Sequence, residues 1–333
     1  MKSYLSDSQA LLDDLKPRRF PPNAKLFTAD AISMYDNIDT EHAIKVISWL
    51  LDQLASILPY DFPIEAVKFV MRVIMTTNVF QFGVLYFLQL LGTAMGTSAA
   101  VMWATLYFAY HEHHCLLRKY DRQLLFYKRY IDDVIAIWLG DSTAWTSLCA
   151  DFNNFGKLKW DVNKPSSSVD FLDLTLTLVD RVVESKTFQK KLNLYLYIPP
   201  ASAHPSSCIK GTVYGLVGRY FAHNTHRKDY VHFVALLYAR LLERNWDEAY
   251  IKPLIFKACE SNESRSREPP PSVPQDASRD KKRLFVHLQY HRDDVPRARI
   301  RQLFEQHLGE TLKSELGIEC PTIAYARPKT IGA

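Results

Sequence analysis

The sequence contains no C-x-x-C pair. Its five cysteines, Cys115, Cys149, Cys208, Cys259 and Cys320, are scattered over 333 residues. That pattern argues against a disulfide framework or a structural zinc site and fits a reducing, intracellular compartment. His204, Cys208, His223 and His226 have no standard zinc-ligand spacing, and neither does the run "HEHHC" at 111–115. The opening "MKSYLSDSQALLDDLKPRRF" carries acids and no apolar core, so it does not read as a signal peptide. There is no internal repeat. Charge of one sign is also scarce: the net charge of +5 permits a nucleic-acid partner without requiring one.

One further absence needs interpretation. No charged residue occurs from Val73 to Tyr110, and "GTAMG" (92–96) matches the small-x-x-x-small pattern of membrane helix pairs. However, Thr76, Thr77, Asn78, Gln81 and Gln89 interrupt the run, and 92–98 reads as a loop. The expectation is a buried strand, loop and helix inside a large core, with no membrane partner.

A chain of this length, 47% hydrophobic and 23% charged, is globular and long enough for about two domains. Residues 26–38 read as a strand ending in a turn, followed by a helix capped at Asp39 or Thr40. Ala43, Ile44, Ile47, Leu50 and Leu51 of that helix fall at helical spacing. Further helices are expected at 63–76, 98–119 and 142–155, and apolar strand-like residues at 79–90. Alternating strands are expected in "LKWDVN" and "VDFLDLTLTLVD". A helical lead-in occupies 1–25, a sheet-and-helix domain 26–182, and a helical domain 186–258. The Pro/Ser/charge-rich stretch 259–283 reads as a disordered linker, and a strand and basic helix follow in 284–333.

The stretch "YKRYIDDVIAIW" (127–138) places Asp132 and Asp133 between two β-prone runs, at the tip of a hairpin. Taken alone, the pair fits a solvated turn, since turns favour aspartate. A hard divalent cation would relieve the repulsion of two adjacent carboxylates, but the pair by itself does not outweigh the turn reading. Asp30 stands at the end of the first strand. An antiparallel sheet backed by helices can bring it beside the hairpin tip. Three carboxylates at one sheet end would form a site for two divalent ions, the arrangement used for in-line phosphoryl transfer.

Four stretches occur in the order of reverse transcriptase motifs A, B, C and E. They are "FTADAISMYDNI", "LLGTAMGTSAAVMWATLYFAYHE", "RYIDDVIAIW" and "VDFLDLTLTL". The sequence most resembles the Penelope-like retroelement type, a relative of telomerase, and "AHPSSCIKGTVYGLVGRYF" and "LFVHLQYHRDDVPRARI" resemble that group's tail. The resemblance covers about residues 3–307. It implies an α+β fold, a right-hand polymerase palm (an antiparallel sheet backed by helices) followed by a helical, helix-turn-helix-like thumb. It implies an RNA-directed DNA polymerase using two Mg2+ ions, with Mn2+ as a substitute. Its partners would be an RNA template, a DNA primer and dNTPs, in a nuclear setting.

By position, the resemblance assigns catalysis and metal binding to Asp30, Asp132 and Asp133. Tyr35 would be an aromatic gate against a ribose 2′-OH, or else a packed tyrosine. Gln89, Gly92, Met95 and Gly96 would line the nucleotide, and Phe171, Leu172 and Asp173 would grip the primer. Lys159 or Lys164 would donate a proton to pyrophosphate. The sequence departs from the pattern at Ser98 and Val101, where prolines are common, and at Thr105, where asparagine is. Asp36 and Asp39 replace the usual Thr and Pro. Only 29 residues precede Asp30, so fingers are expected from another chain, as is an endonuclease. The alternative is an inactive nucleic-acid-binding remnant of a truncated retroelement.

Composition alone supports a nucleic-acid surface in 186–245. That segment holds nine Lys/Arg, including Lys210, Arg219, Arg227 and Lys228, against Asp229 and Glu243. Tyr195, Tyr197, Tyr214, Tyr220 and Tyr230 are interleaved with them. Basic groups can meet phosphates and aromatic rings can stack on bases. A solvated basic helical domain would look the same.

Overall fold

The computed structural model describes residues 3–267, 284–289, 297–316 and 322–326. Several helices begin where the sequence supplies a capping carboxylate. Asp7 accepts from the Ala10 amide at 2.8 Å and opens α1 (Ser8–Leu15). Strand β1 (Lys25–Ala31) leads into a one-turn helix α2 (Met34–Asn37). Asp39 then accepts from the His42 amide at 3.1 Å to start α3 (Thr40–Gln53). After α4 (Ile64–Thr76), β2 (Val79–Phe82) and β3 (Leu85–Leu88) form a hairpin. Helix α5 (Ala100–His111) runs through a π-helical turn, Glu112–Leu116, into α6 (Leu117–Lys119). Strands β4 (Leu124–Tyr130) and β5 (Asp133–Trp138) form the acid-tipped hairpin. Asp141 caps α7 (Ser142–Phe152), and β6 (Trp160–Val162) follows. Next come β7 (Ser168–Phe171), β8 (Leu174–Val179) and β9 (Val182–Thr187). The rest comprises α8 (Ser206–His223), α9 (Arg227–Glu243), α10 (Glu248–Arg267), β10 (Phe285–Gln289), α11 (Arg297–Leu316) and β11 (Thr322–Ala326).

The chain divides into two compact units. One comprises Met1–Lys191 with His223–Asp229, the other Leu192–Ala222 with Tyr230–Ala333. The first is built on an antiparallel sheet in the order β4-β5-β1-β6. Its central strands are covered on both faces, so they read as continuous apolar runs rather than alternating ones. Residues of β5 still alternate in direction. Val134, Ala136 and Trp138 join Phe27 and Ala29 against residues of α3, α5 and α7. Ile135 and Ile137 join Leu26 and Phe126 against Leu11, Leu12 and Leu15 of α1 and Phe171, Leu174 and Leu176 of the β7-β8-β9 sheet.

In the second unit, Ile209, Val213, Val217 and Tyr220 of α8 recur at helical spacing. They pack on Phe233, Leu237 and Leu241 of α9 and on Ile251 and Ala258 of α10. β10 and β11 pair in parallel, with α11 between them in the chain. This is a mixed α+β fold with antiparallel sheets followed by a helical unit, as expected.

The structure corrects three local expectations. The apolar stretch at 79–90 is not a buried strand. β2 and β3 pair only with each other among the described residues, and all eight of their residues are exposed. Helix α10 continues to Arg267, so the stretch expected as linker from 259 is helical in its first part, while 268–283 lie outside the described residues. Strand β9 reaches Thr187, where the helical domain was expected to begin at 186. No helix among the described residues is long and apolar enough to cross a membrane.

Candidate active site

Pairing across the sheet sets the positions of the acids. In the antiparallel register, Asp30 lies opposite Asp133 on one side and opposite Asp161 on the other. Paired residues point to the same face. By alternation this is the face that carries Leu26 and Thr28 of β1 and Ile135 and Ile137 of β5, so the acids stand at the end of that row. Asp132 sits in the tip between β4 and β5, and its carbonyl accepts from the Ala31 amide at 3.0 Å, which fastens the tip to the end of β1. The tip contains no glycine. Ile131 instead takes φ +53°, a left-handed conformation that a β-branched residue avoids.

The electrostatics follow from this crowding. Burial, then Asp132 and Asp30, push the Asp133 carboxyl up to about 6. Burial, then Asp132 and Asp161, also raise Asp30. The field of Lys190 opposes both shifts. Among the described residues, none of Asp30, Asp132 and Asp133 forms an ion pair or a side-chain hydrogen bond. Such a set, anionic and without partners, suits a hard divalent cation that takes carboxylate oxygens. As the side chains stand, no three His, Cys, Asp or Glu groups among the described residues close on a single point. The fit to a metal therefore rests on donor chemistry and register.

Tyr35, on α2, is half-buried. Burial and the nearby Asp132 carboxylate raise its hydroxyl pKa, so the ring lies beside the acids. Gly92 is the second anchor. It takes φ +80°, donates to the Ile38 carbonyl at 3.0 Å, and lies so close that an added Cβ would come within 2.3 Å of the Tyr35 carbonyl oxygen. The Thr93 amide donates to that same oxygen at 2.7 Å, and the Thr40 hydroxyl donates to the Gly92 carbonyl at 3.1 Å. Only glycine permits this approach, so the 92–93 loop is docked directly on the Tyr35 turn. Met95 and Gly96 are exposed on the same loop, with the Met95 side chain 74% accessible. Gln89 differs, because its amide group turns back to the Leu91 carbonyl at 2.9 Å.

The residues expected to grip a primer form the β7-β8 turn. Leu172 there takes φ +53°. Phe171 points into the core at 4% accessibility and cannot touch a ligand. Asp173 accepts from the Ser8 hydroxyl at the start of α1 and lies 3.7 Å from His223 Nδ1. Lys159 and Lys164 are exposed on either side of β6, and the Lys159 ammonium lies 3.5 Å from the Asn153 carbonyl.

Lys210 and Arg219 on α8, and Arg227 and Lys228 on α9, are all exposed. Lys210 lies 5.9 Å from the Tyr214 ring centroid. Two of the tyrosines offered as stacking platforms do not serve, since Tyr220 and Tyr230 are buried in the helical core. Arg240 lies 3.8 Å from the Tyr195 ring centroid, and Arg244 donates to the Tyr197 carbonyl at 3.0 Å. In "HEHHC", Glu112 pairs with Arg129, while His111 meets the Asp151 carbonyl at 2.7 Å.

Sequence reasoning missed Asp161 and Lys190. Asp161 is one acid in an unremarkable alternating strand, and only its pairing with β1 reveals its place. Lys190 was counted in the basic segment without a position near the acids.

No protein-family model matches the sequence, and no curated protein does either. Solved structures do. Telomerase from Candida albicans in complex with the TWJ fragment of telomeric RNA is similar over 79% of this chain and 50% of its own, at 12% identity and a TM-score of 0.52. Apo telomerase from Candida tropicalis matches over 79% and 47%, at 13% identity and a TM-score of 0.46. The RNA-dependent RNA polymerase of BmCPV at elongation state matches over 64% and 20%, at 12% identity and a TM-score of 0.47. The chain spans between 41% and 50% of the telomerase chains it matches. The fold is that of a nucleic-acid polymerase, a palm and a helical thumb.

Proposed function

We propose that this chain is the palm and thumb of an RNA-directed DNA polymerase of a retroelement, of the Penelope-like type its motifs resemble. It would add dNTPs to a primer 3′-OH on an RNA template. The observation that carries the proposal is the register that sets Asp30 opposite Asp133, with Asp132 at the adjoining tip and, among the described residues, no basic side chain paired to any of them.

Asp30, Asp132 and Asp133 would hold two Mg2+ ions, or Mn2+ in their place. Bound there, the ions would activate the attacking oxygen and stabilise the leaving pyrophosphate. The chain supplies the rest. Asp133, whose carboxyl is pushed up to about 6 by burial and by its acidic neighbours, gives up its proton on binding below that pH. Tyr35 sets a ring against a 2′-OH, a repulsive element that selects deoxynucleotides. Gly92 lets backbone approach that ring's turn. Lys190 adds positive charge beside the acids, where a triphosphate would bring negative charge. Lys210, Arg219, Arg227 and Lys228 present cations for phosphates of the duplex. The telomeric RNA in the Candida albicans structure is in keeping with an RNA partner. A nuclear location belongs to the same proposal.

The test is primer extension on an RNA template with dNTPs and Mg2+, beside the Asp132→Ala/Asp133→Ala variant. Extension by the parent chain that disappears in the variant is the expected result. Duplex binding without extension would replace this reading with that of an inactive nucleic-acid-binding remnant.

A further inference from the structure

Arg129 is buried in the palm unit, with 2% of its side chain accessible, beside a fully buried Glu112. Its Nε donates to Glu112 Oε1 at 2.6 Å and its Nη2 to Oε2 at 2.9 Å. The same Nη2 donates to the Thr105 carbonyl of α5 at 2.8 Å. Nη1 donates to the Ile131 carbonyl at 2.6 Å. Glu112 also accepts from the Tyr127 hydroxyl at 2.8 Å and the Ser3 hydroxyl at 3.0 Å. The Arg129 backbone is held as well, by Ser3 and Leu5 at 2.7 and 2.9 Å.

A buried ion pair is a poor device for stability alone, because desolvation offsets most of the attraction. This one does something that an apolar pair could not. The carbonyl it grips belongs to Ile131, the left-handed residue immediately before Asp132 and Asp133. A β-branched residue does not hold that conformation unaided, so the surrounding structure must impose it. The π-helical turn that begins at Glu112 adds a second irregularity, and such turns are frequent at functional sites. The guanidinium makes four hydrogen bonds here, two to the carboxylate and one to each carbonyl, whereas an ammonium has three donors and no planar fork.

We propose that Arg129, clamped by Glu112, is a positioning residue that holds the Ile131 turn and thereby aims Asp132 and Asp133 at a divalent cation. The inference rests on the metal-site reading above. Arg129 touches no substrate; it acts through the turn.

The test compares the parent chain with Arg129→Lys, which keeps a charge opposite Glu112 and loses the fork. A second variant, Arg129→Met/Glu112→Leu/Tyr127→Phe, removes the buried charges and the buried phenol together, so the test does not depend on one substitution folding. Two quantities are read in variants that melt cooperatively. One is Mn2+ affinity, from the free-ion electron paramagnetic resonance signal. The other is amide exchange of a peptide covering 130–134. The expected result is an affinity lowered by about 10-fold, the lower range for groups that orient metal ligands, with faster exchange in that peptide and unchanged exchange in β1. Parental Mn2+ affinity and parental exchange in a folded variant would overturn the proposal. A parent chain that binds Mn2+ through Asp132 and Asp133 yet extends no primer would sink the polymerase reading and leave this one standing.

Discussion

An aspartate buried among other carboxylates is held from ionising. Asp133 shows the result. An aspartate in the unfolded chain titrates near 3.8, whereas burial, Asp132 and Asp30 push the folded group up to about 6. Between those values the folded state binds more protons than the unfolded state, so stability falls as pH rises from about 4 to about 6 and stays lowered above. Asp133→Asn removes that penalty. Its melting temperature is expected to exceed the parent's at pH 7.5, with the difference vanishing near pH 4. A difference independent of pH would show that neither burial nor the neighbouring acids shift the Asp133 carboxyl. Cation binding has the opposite dependence. It must displace the proton, so the parent's Mn2+ affinity should fall as pH drops through 6, with proton release detectable by calorimetry in two buffers.

At the scale of elements, the β2-β3 hairpin is the plainest case of an apolar sequence that earns no burial. Phe82 and Leu85 are 78% and 60% accessible, whereas Phe27 in β1 is fully covered. Phe82→Ser/Leu85→Ser should change unfolding free energy by no more than about 0.5 kcal/mol. Phe27→Ala should cost about 3–5 kcal/mol. Chemical denaturation measures both, and comparable losses would place the hairpin in the core. Composition could not make this distinction, because an apolar strand is buried only if another element covers it. The caps at Asp39 and Asp141 act locally, so cap signals of their kind can be read from sequence. The acids of β1 and the β4-β5 tip were legible for a different reason, since each interrupts a run that is otherwise buried. Asp161 was not legible, because its meaning comes from pairing with a strand some 130 residues away. The pairing of Arg129 with Glu112 was hidden too, since nothing local links the two. The burial of Tyr220 could have been read, because it continues the stripe of Ile209, Val213 and Val217.

Over the whole molecule, charge is distributed unevenly. The nine basic residues of 186–245 outnumber their two acids by more than the net +5 of the chain, so the remainder is net acidic. Part of that excess is engaged internally. Lys186 pairs with Asp229 at 2.8 Å, and Arg240 and Arg244 hold Tyr195 and Tyr197. Lys210, Arg219, Arg227 and Lys228 are exposed at the surface, whatever contacts they make within the chain. If each displaces one counterion from a duplex phosphate, the four together account for a slope of about 3 to 4 in the dependence of log affinity on log salt. The fourfold alanine variant should therefore bind an RNA–DNA duplex more weakly at low salt, with a slope shallower by that amount. Fluorescence anisotropy across a salt series measures both quantities. An unchanged slope would show that these side chains meet no phosphate and that the basic helices are only a solvated surface. Primer extension cannot make this separation, since a chain can lose catalysis while its cations still grip a duplex. The salt slope examines the thumb independently of the acids, just as Mn2+ affinity examines the acids independently of the thumb.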